Sequence, residues 1–238
     1  MERSLMSGND VAAMPQLAGV APVRQPRSEA TFRALIQAGR KALDEKFFDE
    51  VTIEEIARAA GASVGAFYGR FANKEAFFSA IQEITVADIE AQLNAQLARP
   101  EVEAASDAQF LAAVAKFTVG VFRGHRGLYI ASFKHSSARP GAWSPIRRLG
   151  YKASGLFAAK LAPRLRKLGK PASEREIRIG LQFMNGLLVN AVLNDPGPLS
   201  LDDKNMEAYI TRLLCSYFGI EGGRRPRRAK SGSRRAAR

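Results

Sequence analysis

The residues best equipped for chemistry lie between Val51 and Lys74, and what they can do is hold an anion rather than break a bond. Thr52, Ser63 and Tyr68 supply hydroxyls, Arg70 and Lys74 supply cations, and Val64, Gly65 and Ala66 put little bulk between them. Such groups donate to phosphate oxygens, while small side chains let a backbone come close to base edges in a groove. A catalytic site would need a nucleophile with a base and an orienting group, and the sequence offers none. His125 and His135 stand ten residues apart, without the i, i+4 spacing of a helical metal pair. Cys215, inside the apolar run Leu213-Leu214-Cys215, reads as a packed thiol, and Asp195 has no identifiable partner. The expectation is a chain that is not an enzyme and has no catalytic residue, metal ligand or cofactor.

Three helix starts in quick succession position the anion-binding groups. Thr52 followed by Glu55 makes a capping box, and Val51 can staple against Ile56. Ala60-Gly61 stops that first helix, because glycine takes the left-handed conformation cheaply, and Ser63 can cap a second one after a tight turn. Two short helices joined this way form a helix-turn-helix. In the second, spanning Ser63 to Phe71, Phe67 and Phe71 face inward at i and i+4, leaving Val64, Gly65, Ala66, Tyr68, Gly69 and Arg70 on a face without acidic residues. Ala66 at the third helical position puts no carboxylate near the positive helix end. Asn73 caps the next helix and places Lys74 where a phosphate could dock.

At these residues the sequence resembles the TetR family of transcriptional regulators. The match is carried by Thr52-Ile53-Glu54-Glu55-Ile56-Ala57, Ala60-Gly61, Ser63-Val64-Gly65-Ala66-Phe67-Tyr68, Phe71 and Asn73-Lys74-Glu75, and it covers roughly Glu29 to Ile89. The resemblance implies phosphate contacts from Thr52, Ser63, Tyr68 and Lys74, and base or groove contacts from Val64, Gly65, Ala66 and Arg70. It also implies a homodimer on a double-stranded DNA operator, released by a small-molecule effector. There are departures: Phe47-Phe48 replaces the usual Gly-aromatic end of the first helix, Ala66 stands where Thr is common, and Gly69 where a larger residue is frequent. Fewer side-chain hydrogen bonds to bases follow, so DNA shape carries more of the specificity.

Beyond this segment, long tracts rich in Ala, Leu, Glu, Lys and Arg at helical spacing predict an all-α fold. An N-terminal three-helix DNA-binding domain would join a larger helical domain for ligand binding and dimerisation. Residues 1–27 mix Gly, Pro and Ser without periodicity and are expected to be a disordered arm. Ser28 is a candidate N-cap, followed by the apolar face Phe32, Leu35, Ile36, Gly39 and Leu43, so the DNA-binding domain is drawn at 28–89. The second domain, 90–220, should hold the rest of a helix begun at Lys74 and ending near Leu97. Further helices are expected at Asp107 to Arg123, Gly127 to Ala138, Ser144 to Leu168, Ser173 to Leu193 and Asp202 to Phe218, with prolines between them.

Of the net charge of +13, residues 221–238 supply eight Arg or Lys against Glu221 alone. This basic tail, expected to be disordered, is either an auxiliary phosphate-binding arm or a solvated extension. If the tail dominates, the chain is instead an effector-independent, architectural DNA-binding protein. One cysteine, no signal-peptide pattern and no apolar run of membrane-spanning length favour the cytoplasm and no membrane partner. Phe110, Phe117, Phe122, Tyr129, Trp143, Tyr151 and Phe183 are numerous and bulky enough to line an effector cavity. The last two helices carry more apolar residues than one buried face needs, which makes Ile177, Leu181, Leu188, Val192, Tyr209, Leu213 and Tyr217 the expected dimer interface.

Overall fold

The computed structural model describes residues 18–21, 26–138 and 140–221, and every regular element in them is helical. In chain order these are α1 (Pro26–Glu45), a 3-10 turn (Phe48–Glu50), α2 (Ile53–Ala59), α3 (Val64–Tyr68) and α4 (Lys74–Leu97). There follow α5 (Pro100–Ala104), α6 (Asp107–Gly124), α7 (Arg126–Ala138), a 3-10 turn (Pro140–Trp143), α8 (Ser144–Lys167), α9 (Glu174–Leu193) and α10 (Met206–Phe218). None of these helices is long and apolar enough to cross a membrane.

One hydrophobic core runs from Phe32 to Ile220. Its spine is α4, where Phe77, Phe78, Ile81, Ile84, Val86, Ile89, Leu93 and Leu97 are buried on several faces at once. A helix apolar all round must be surrounded. Along it pack α1, α3 through Phe67 against Phe77, and α8, which is paired to it by Arg148–Glu83 at 2.6 Å and by Lys152–Glu90. The boundary expected at residue 89 therefore falls inside one continuous helix. Around it α6 packs on α10 and α9 on α8, while α7 leans on α1 and so joins the two halves. Gln82 of α4 donates to Ser132 of α7 at 2.8 Å, a buried polar pin across the same seam.

Several expected boundaries move. The first helix begins at Pro26, whose fixed φ suits a first helical position, and Ser28 lies inside it with its hydroxyl unpartnered. Pro100 starts α5 rather than merely interrupting the chain. The last helix starts at Met206, not Asp202, because Arg123 draws the Leu201 and Asp203 carbonyls to itself at 2.9 Å each and the Asp203 carboxylate accepts from the Asn205 amide at 2.7 Å. The first helix ends at Glu45, and Phe47-Phe48 enters a 3-10 turn in which the Glu50 carboxylate accepts from the Phe47 amide at 3.1 Å.

The arm is not wholly without structure: Val20 forms an isolated antiparallel bridge with Phe71, and Pro26 is already helical. The rest of the expected arm, 1–17 and 22–25, lies outside the described residues, as does the tail from 222 onward.

His125 caps the C-terminus of α6 at the seam between the halves. Burial, with Arg40 nearby, pushes its imidazole down to about 4. An unfolded chain protonates histidine near 6.5, so neutral His125 contributes its full stability above that pH and loses it as pH falls towards 4. Replacing His125 with Gln is expected to flatten the acid limb of the thermal-midpoint curve in that window, by on the order of 3 kcal/mol at its lower end. An unchanged limb would mean that the imidazole is free to protonate in the folded chain.

Candidate nucleic-acid interface

Short-range hydrogen bonds build the helix-turn-helix. Thr52 Oγ1 accepts from the Glu55 amide at 3.2 Å, and the Glu55 carboxylate accepts from the Thr52 amide at 3.3 Å. Lys46 reaches the same carboxylate at 2.7 Å, which holds Glu55 below the usual carboxylate range and raises Lys46. Capping uses only a lone pair of Thr52, so its exposed hydroxyl keeps a proton to donate outward. Gly61, at φ +64°, ends α2 in the left-handed conformation and lets the Ala62 amide reach back to the Ala57 carbonyl at 2.9 Å. Ser63 Oγ then accepts from the Ala66 amide at 3.1 Å and opens α3.

The five residues of α3 are too few to hold a helix by themselves, and an aromatic cluster fixes them. Phe67 and Phe71 are fully buried; Phe71 lies 5.6 Å from Phe32 of α1, 5.2 Å from Phe67 and 4.9 Å from Phe77 of α4, ring centre to ring centre. With that side inward, Val64, Gly65, Tyr68 and Gly69 are exposed, and Ala66 and Arg70 are half-buried at the edge of the same surface. Tyr68 is 54% exposed.

A side chain at Gly65 would meet nothing closer than Ser63 Oγ at 3.7 Å, and one at Gly69 nothing closer than a carbonyl at 3.4 Å. The fold itself therefore does not require glycine at either position. A surface that must be approached closely from outside gives a reason for both. From Ile56 to Lys74 the chain has no acidic residue, against Arg58, Arg70 and Lys74.

Lys74, expected where a phosphate could dock, is half-buried at the start of α4. Its ammonium donates to the Asp49 carbonyl at 3.2 Å and lies 4.5 Å from the centre of the Phe48 ring, and burial lowers its pKa. Asn73 caps α4 as expected, accepting from the Ala76 amide at 2.8 Å.

The seven residues expected to line a pocket are spread between packing contacts and the surface. Phe110 is buried under the Arg164 guanidinium, Phe117 faces Phe157, and Phe122 stacks on Tyr129 at 4.3 Å with Trp143 beyond. Burial of Tyr129 raises its phenol pKa. Tyr151 is 70% exposed beneath Arg178, and Phe183 is 51% exposed on the outer side of α9. None of the seven lines either of the two prominent clefts. One cleft, of about 480 Å³, opens between the end of α1 with its 3-10 turn and the face of α7, among Leu43, Phe47, Phe48, Ile130, Lys134 and His135. These walls lie some eighty residues apart in sequence, so no local pattern announces the cleft.

The expected interface residues divide. Ile177, Leu181, Leu188 and Val192 are buried in the chain's own core, against α6, α7 and α8, so they are not available to a second copy. Leu213 and Tyr217 remain exposed, and Tyr209 is half-buried. Beside them the outer side of α9 shows Phe183, Gly186 and Leu187, with Phe183 edge-on to Tyr217 at 5.5 Å.

The architecture is that of a two-part, all-helical protein with an N-terminal helix-turn-helix whose second helix is turned to solvent. The sequence pattern of bacterial regulatory proteins of the tetR family matches residues 35–81, the segment that holds the helix-turn-helix. YwcC, an uncharacterized HTH-type transcriptional regulator of Bacillus subtilis, is 47% identical over 53 residues, which are 22% of this chain and 24% of that protein. The chain thus matches about a quarter of the length of this curated relative. In fold, it resembles a protein from Mesorhizobium loti assigned to the same family, with TM-score 0.62 and 19% identity over 82% of this chain and 98% of that one. A tetR-family regulator from Streptomyces coelicolor gives TM-score 0.59 and 18% identity, covering 79% of each chain.

Proposed function

We propose that the protein is a cytoplasmic, DNA-binding transcriptional regulator that sits as a homodimer on a palindromic operator. The observation that carries this reading is the exposed, acid-free face of α3, where Gly65 and Gly69 leave room the fold does not use. In it, α3 enters the major groove, Thr52, Ser63, Tyr68 and Lys74 hold phosphates, and Val64, Gly65, Ala66 and Arg70 meet the bases. Lys74 would exchange the Asp49 carbonyl for a phosphate oxygen on binding. Selection of sites from random DNA by the full chain is expected to recover a palindrome. Tyr68→Phe should weaken binding to all sequences by a similar factor, whereas Arg70→Ala should relax preference at one base position by about 1–3 kcal/mol. Equal losses on every sequence would remove Arg70 from base reading. A shallow preference with steep salt dependence would favour the architectural alternative built on the basic tail.

The dimer would use the outward side of α9 and α10, with Phe183, Leu187, Leu213 and Tyr217 at its centre, in a bundle of two helices from each copy. Leu213→Asp is expected to yield monomers in sedimentation equilibrium and to lose operator binding together with dimerisation. The effector reading is that a small molecule in the cleft between α1 and α7 relieves repression. Its volume of about 480 Å³ lies within the range of small-molecule pockets, and its α1 wall leads directly into Thr52.

A further inference from the structure

We propose that residues 18–21 form a staple that positions the recognition helix, with Gly19 and Val20 as its positioning residues. The role in DNA recognition rests on the function proposed above; the staple itself does not. With only five residues, α3 cannot set its own orientation, and its two ends must be fixed from outside. Ser63 fixes the entrance. The exit, Arg70-Phe71-Ala72, passes directly into the start of α4, and its outward backbone groups would face solvent without a partner strand.

Residues 18–21 supply that partner. The Ala21 amide donates to the Arg70 carbonyl at 2.8 Å, and the Ala72 amide donates to the Gly19 carbonyl at 2.8 Å. Between them Val20 bridges Phe71 and packs, half-buried, on the core. Both hydrogen bonds hold the residues flanking Phe71, whose ring already joins α1, α3 and α4. Gly19 is required for this approach: its φ is +76°, and a side chain would meet the Ala76 Cβ at 3.0 Å and the Ala72 Cβ at 3.3 Å. The contact therefore fixes Arg70 on one side of Phe71 and the Asn73 cap of α4 just beyond the other. A segment far from α3 in sequence thus sets the angle at which α3 is presented.

The test compares the full chain with its Gly19→Val, Val20→Asp and Val20→Ile forms. Hydrogen exchange followed by mass spectrometry over residues 69–73 needs no DNA. Exchange there is expected to rise roughly tenfold in Gly19→Val and Val20→Asp, and to stay near that of the natural chain in Val20→Ile. On the selected operator, the two disruptive forms should lose roughly tenfold in affinity while binding to random DNA changes little. Unchanged exchange at 69–73 would overturn the staple whatever the DNA result. Faster exchange with undiminished operator preference would overturn the positioning role. If the natural chain itself selects no site, the functional reading fails, and the exchange arm still decides the staple.

Discussion

Phe71→Ala is expected to lower the unfolding free energy of the chain by about 3–5 kcal/mol, the range for emptying a fully buried aromatic site. In a chain of this size that corresponds to a fall of roughly 6–20 °C in the thermal midpoint. The ring is the common neighbour of Phe32, Phe67 and Phe77, so its loss removes contacts to three helices at once. Because α3 is short, part of the cavity can close by α3 sinking inward, which places the stability loss towards the lower end. That relief has a functional cost: a sunken α3 no longer projects Tyr68 and Arg70, so binding to DNA should fail even at temperatures where the variant is folded. Tyr68→Ala makes the opposite pairing. Its side chain is 54% exposed, so stability should change by no more than about 0.5 kcal/mol while DNA affinity drops. Calorimetry on both variants, with binding measured well below each midpoint, checks the pair. A loss of under about 1 kcal/mol in Phe71→Ala would mean that the aromatic cluster does not hold α3.

What the sequence made legible follows the range of the interactions. Thr52, Ser63, Asn73 and Ser173 each bond an amide three residues on, and all four helix starts lie where the residue types place them. Phe67 and Phe71, one helical turn apart, face inward for the same local reason. The bridge of Val20 to Phe71 was not legible, because its partners are fifty residues apart and no alternation marks a strand. The contacts of Lys74 were not legible either; the Phe48 ring and Asp49 carbonyl that hold it come from a turn whose shape the sequence did not specify. On α9 both sides are apolar, and periodicity alone cannot say which side meets the chain's own core. Ile177, Leu181, Leu188 and Val192 do, Leu187 does so in part, and Phe183 is exposed. The aromatic residues of the second domain are spent on pairs such as Phe122 with Tyr129, and bulk by itself did not distinguish packing from a cavity wall.

Gly127→Ala should destabilise the chain even though glycine to alanine inside a helix ordinarily stabilises it by about 1 kcal/mol. The reason is the seam between α1 and α7. A Cβ at Gly127 would lie 2.1 Å from the Leu43 carbonyl oxygen, 2.5 Å from its carbon and 2.8 Å from the Asp44 nitrogen. These are backbone atoms of the last turns of α1, which cannot rotate aside as a side chain would, so the two helices must separate. Overpacking of this kind costs about 1–3 kcal/mol and sometimes more, enough to reverse the propensity gain. Gly120 supplies the control: it lies within α6, a Cβ there meets nothing within 4 Å, and Gly120→Ala should raise the midpoint by about 2–4 °C. Equal responses at the two positions would rule out a close approach at Gly127. The displaced end of α1 continues through the 3-10 turn to Thr52, so separation at the seam should also reach the helix-turn-helix. Operator affinity is then expected to fall in Gly127→Ala and to stay constant in Gly120→Ala, although neither residue belongs to the surface proposed to touch DNA. That difference would make the α1–α7 contact the point at which the second domain governs the first, by the same separation that a molecule wedged into the adjoining cleft would produce.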